Sequence, residues 1–64
     1  MKQELIEQAV KDWAKQECTI KEIMRHVMGW RDIVFALYVA RNIDYTLVDI
    51  LTSELVNETD FIQP

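Results

Sequence analysis

Proline stands only at position 64 and glycine only at position 29. The rest of the chain therefore lacks the two residues that break helices, while Ala, Leu, Glu, Lys, Gln and Met are common. That combination commits the backbone to helices joined by short turns. Sixty-four residues make one domain, 1–64, with no repeat, low-complexity stretch or linker to divide it. A domain of about 60 residues buries only about 60% of the surface its unfolded chain exposes. Its single core rarely supplies more than about 3–5 kcal/mol of net stability.

Small chains often make up the deficit with disulfides, a metal or a partner subunit. Cys18 is the only cysteine, so no disulfide can form within the chain. Cys18 and His26 are the only soft ligands, short of the four that a structural zinc needs. No metal or other cofactor is expected, and self-association remains as the aid. Half of the residues are apolar, which favours it.

The spacing predicts helices over about 2–16, 19–28, 31–41 and 46–57, with 58–64 as a tail. In the first, Leu5, Ile6, Ala9, Val10, Trp13 and Ala14 form one apolar stripe, with a Glu7–Lys11 pair outside it. Cys18-Thr19-Ile20-Lys21-Glu22-Ile23 reads as a capping box. Thr19 would cap, Glu22 would reach back, and Cys18 with Ile23 would form a hydrophobic staple. Cys18 is accordingly expected as a small buried hydrophobe. Ile20, Ile23, Met24 and Val27 should face inward, and Gly29 should end that helix in the left-handed conformation. Asn42 is expected to end the third helix the same way. Thr46 should cap the fourth, with Asp49 as its partner and Tyr45 with Ile50 as a staple. Leu47, Val48, Ile50, Leu51, Leu55 and Val56 would form its apolar face. Phe61 and Ile62 are too apolar for an idle tail; docking on the body and docking on a partner are both open.

Ile33 to Ala40 is eight residues without a charge or an amide. Periodicity alone allows a buried strand, but no second segment offers a pairing partner, so a helix is expected. A helix apolar all round must be buried all round. Three or four short helices cannot cover the whole of one, so part of the run should be core and part an interface. The competing reading is the central helix of a monomer. The residues assigned to the interface are Trp30, Arg31, Ile33, Phe35, Tyr38 and Val39; Trp, Tyr and Arg are enriched at binding hot spots.

Net charge is −4, and every Lys and Arg lies at or before Arg41. Asp44, Asp49, Glu54 and Glu58 form an expected acidic surface, suited to a basic face on a partner. The balance disfavours nucleic acid, whose binding draws on Lys and Arg, and an interfacial membrane helix, which wants a basic polar face. MKQELIEQAVKDWAK lacks the apolar region of a secretory signal. The longest apolar run falls short of the roughly 18 residues that span a bilayer. A cytoplasmic protein is expected.

From Thr19 to Leu37 the chain resembles a helix-turn-helix domain. Ile23, Val27, Val34 and Leu37 match that family's buried positions, although Gly29 comes one residue late, with Met28 in its usual place. The resemblance implies DNA binding through a second helix in the major groove. Its outward residues would be Trp30, Arg31, Asp32 and Phe35, with one cation among them, a poor set for gripping phosphates.

Catalytic chemistry has little to stand on. His26 with Glu22 one turn away is the one local acid–base candidate, and no nucleophile motif or phosphate loop is present. The expectation is an all-α, three- or four-helix domain, helix-turn-helix-like and dimeric. It would be no enzyme and would have no small-molecule substrate. It would self-associate and bind or block a larger protein with a basic surface, as small phage- or plasmid-borne inhibitors and regulators do. The alternative is a helix-turn-helix transcriptional regulator.

Overall fold

A computed structural model describes residues 2–58. Among these residues there are four helices and no strand: α1 (Lys2–Ala14), α2 (Ile20–His26), α3 (Trp30–Ile43) and α4 (Leu47–Glu58). Phe61 and Ile62 lie outside the described residues.

α1 packs against α2 and α3, and α4 closes the far side against the same two helices. The four thus form a ring in which α1 and α4, and likewise α2 and α3, lie diagonally with little contact. Helical spacing selects what fills the centre. Ile6, Ala9, Val10 and Trp13 come from α1, and Ile20 and Ile23 from α2. Ile33, Ala36, Val39 and Ala40 come from α3, and Leu51 and Leu55 from α4. No polar side chain is buried among them. Leu5, expected in the α1 stripe, lies exposed, as do Ile50 and Val56 on α4.

The helix ends depart most from expectation. α1 stops two residues early, with Gln16 at φ 64°, the left-handed position. The Gln16 amide donates to the Trp13 carbonyl and the Glu17 amide to that of Asp12, at 2.9 and 2.8 Å. That is a Schellman ending, normally given to glycine. Gly29, expected in that role for α2, is instead the extended N-cap of α3. α2 ends at His26, with Val27 as its C-cap. Asn42 remains helical, and α3 runs on to Ile43.

The expected capping box at Thr19 does not form: its side chain makes no cap hydrogen bond. Glu22 turns outward to Arg25 and His26, at 3.5 Å each. The reach-back occurs at α3, where Asp32 in the first turn accepts the Met28 amide at 2.9 Å. Thr46 spends its hydroxyl on Asp44 Oδ1 at 2.9 Å, and its amide donates to the same oxygen at 3.0 Å. This Asx-type turn begins α4. Tyr45 and Ile50, the expected staple, are both exposed.

Two stability outcomes follow from this packing. Leu51→Ala removes a fully buried side chain and should cost about 2–5 kcal/mol, enough to leave the chain largely unfolded in a denaturant titration. The misplaced glycine gives a sharper test. A left-handed L-residue costs about 1–2 kcal/mol, more than the roughly 0.5–1 kcal/mol of chain entropy that glycine brings, so Gln16→Gly should raise the melting temperature. Gly29→Ser should raise it too, since an added Cβ meets nothing within 4 Å and serine is a good N-cap. A fall in either variant would contradict these helix ends.

Candidate interaction face

α3 places its residues by the 100° step of a helix. Ile33, Ala36, Val39 and Ala40 point into the ring, and Phe35 and Leu37 pack at its margins. The opposite side carries Trp30, Val34 and Tyr38 at i, i+4 and i+8, with Arg31 and Arg41 beside them. These three apolar residues are 60%, 62% and 59% exposed. A surface helix normally turns charge and amide outward at such positions. Here the outward row is apolar.

The expected interface set is therefore split. Trp30, Arg31 and Tyr38 lie on the outward row, whereas Ile33 and Val39 are core residues at 4% and 7% exposure. Phe35 is half-buried against the core. Val34, which was not assigned to the interface, is at the centre of the row. Choosing the outward residues required knowing which side of α3 its neighbours cover, and an unbroken apolar run does not tell.

The helix-turn-helix resemblance departs at the same residue. Ile23 is buried, but Val34 is among the most exposed apolar side chains. α2 and α3 lie diagonally and barely touch, whereas the two helices of that motif pack on each other.

The acidic surface is partly consumed by the fold. Asp44 is held by both groups of Thr46, and the backbone amide followed by the hydroxyl lowers its pKa from the usual carboxylate value. Glu54 accepts the Trp13 indole Nε1–H at 3.3 Å. Asp49 and Glu58 are exposed. Asp32 lies at the start of α3, where the Lys2 ammonium sits 2.8 Å from its carboxylate. The hydrogen bond from Lys2, then that from the Met28 amide, lowers its pKa. This carboxylate ties the first turn of α1 to the first turn of α3.

Cys18 packs half-buried against the core, its thiol 3.6 Å from the Ala9 carbonyl. Burial pushes its pKa up, and the carboxylates of Asp12, Glu22 and Glu17 add to the shift. The thiol is therefore less available as a nucleophile than a free one. His26 Nε2 sits 3.5 Å from Glu22 on the outside of α2. A cavity of about 270 Å3 opens at the α2–α3 turn, lined among the described residues by Val27, Met28, Gly29 and Trp30. None of these four residues carries a titratable group. No group of three or more His, Cys, Asp and Glu is placed to hold a metal among the described residues. No helix there is long and apolar enough to cross a membrane.

No protein-family model matches the chain, and no curated protein or solved structure is significantly similar to it.

The Asp32 contacts carry a pH signature. Its pKa is lower in the folded chain than in the unfolded one, so its stabilisation is complete above the ordinary carboxylate range. It is lost as pH falls through the lowered folded value. Asp32→Asn should melt below the parent chain at neutral pH, and the gap should close on acidification. A gap that stays constant down to strongly acidic pH would show that the carboxylate charge is not what joins α1 to α3.

Proposed function

We propose that this chain is a small protein-interaction module, working in the cytosol as a regulator or inhibitor that occupies a surface of a larger protein. One observation carries the reading: the solvent side of α3 presents Trp30, Val34 and Tyr38 in a row. Exposed contiguous apolar residues on a small domain mark interaction sites. Tryptophan and tyrosine are also the residues that most often dominate binding energy. The mechanism is steric. α3 is held rigid by the ring behind it, so little ordering cost is due when its outer face is covered.

A binding role, rather than an enzyme's, is also supported by what the reactive side chains are doing. The Cys18 thiol is held protonated by burial and neighbouring carboxylates. Glu22 is shared between Arg25 and His26 on an exposed helix surface. Both arrangements are ordinary for a scaffold. Self-association and capture of a foreign protein would both use the same face of α3.

Val34→Glu and Tyr38→Glu separate docking from folding, because both side chains already stand in solvent. Each should leave the melting curve within about 0.5 kcal/mol of the parent. Each should also abolish whatever association the parent chain shows, read as solution mass by light scattering and as proteins retained from a lysate. Lys15→Glu, exposed in the turn just after α1, should leave both readouts intact. If mass and retained proteins are the same for all three variants and the parent, α3 is not the docking face.

A further inference from the structure

We infer that the occupant of the α3 face is an acidic amphipathic helix of another protein, an inference that rests on α3 being the docking face. The charge around the row points there. Arg31 and Arg41 flank it, about 15 Å apart along the axis at 1.5 Å per residue. Neither has an ion-pair partner among the described residues, as is also true of Lys15 and Lys21, whereas Lys2, Lys11 and Arg25 each face a carboxylate; only Arg31 and Arg41 stand beside the apolar row. Asp32 is the one acidic residue of α3, and it is occupied by Lys2 and the Met28 amide. A chain of net charge −4 thus offers two uncompensated guanidinium groups around its most apolar exposed row. Arginine is suited to carboxylates because its planar fork donates two parallel hydrogen bonds.

A second copy of this chain fits the face badly. Antiparallel pairing of α3 with α3 about its midpoint sets Val34 against Tyr38 but Arg31 against Arg41 at both ends. Parallel pairing sets each arginine against itself. The outward side of α4 presents Asp49, Ile50, Thr52, Ser53, Val56 and Asn57; its two exposed apolar residues, Ile50 and Val56, lie about 120° apart around the axis and form no row to meet three. On α1, Leu5 is the single large apolar residue exposed. No other described helix carries a row of three exposed apolar residues at i, i+4 and i+8 to lie along that of α3. The complement is a helix with apolar residues at i, i+4 and i+7 or i+8, with one Asp or Glu beside the end of that stripe that meets Trp30 and another about a turn beyond the end that meets Tyr38. This is side-by-side helix pairing, with charge fixing the register.

The test uses the full chain and two fluorescein-labelled synthetic helical peptides. Both carry the same leucine stripe; one has Glu and the other Lys at the flanking positions. A labelled oligothymidylate serves as a third probe, because Trp, Tyr and Arg also bind single strands. Fluorescence anisotropy should show the acidic peptide binding at least about tenfold more tightly than the basic one, with the preference shrinking as salt rises. Arg31→Glu with Arg41→Glu should reverse the preference, and Val34→Glu should abolish binding of either peptide. Equal affinity for the two peptides, still abolished by Val34→Glu, overturns the acidic partner and leaves α3 as the docking face. So does tighter binding of the oligothymidylate, or a dimer that is broken by Val34→Glu and excludes the peptides. If no probe binds in a manner that depends on Val34, both this inference and the docking face fall.

Discussion

α3 is the helix on which the fold depends, because among the described helices its neighbours cover one side. It touches both α1 and α4, and the residues it turns toward them include Ala36 and Ala40, which are wholly buried. Short side chains there let the two neighbouring helices approach closely, and Ile33 and Val39 fill the flanks. The core is one layer thick. Among the described residues no further element lies over the outer side, and the apolar residues opposite the alanines are exposed.

Electrostatics follows the same economy. Asp32 joins α1 to α3, Asp44 builds the turn into α4, and Glu54 receives the Trp13 indole across the ring. Three carboxylates that a count of charge assigns to surface or steering are therefore structural. Arg31 and Arg41, on the side of α3 where the apolar row is exposed, form no ion pair among the described residues.

The exposed row and the buried row of α3 are equally greasy, and this explains why the candidate face was only half legible. Trp30, Arg31 and Tyr38 were identifiable because aromatic and arginine side chains are common at interfaces. Ile33 and Val39 were drawn in because nothing in an apolar run distinguishes its two sides. The resemblance to a helix-turn-helix failed for a related reason: Val34 fits the pattern of apolar spacing but faces away from α2.

The sequence by itself determined that the chain is all-helical, with four helices centred where apolar periodicity places them, and that α3 carries more apolar surface than so small a body can cover. Those properties are local or compositional: helix propensity, the scarcity of breakers, and an apolar run with no charge to mark one side of it for solvent. Tertiary structure decided the helix ends and the side of α3 that meets solvent. Gln16 takes the left-handed turn because the Trp13 and Asp12 carbonyls are open there, while Gly29 merely begins a helix. The solvent face is set by where α1 and α4 come to rest, which depends on contacts between residues far apart in the chain.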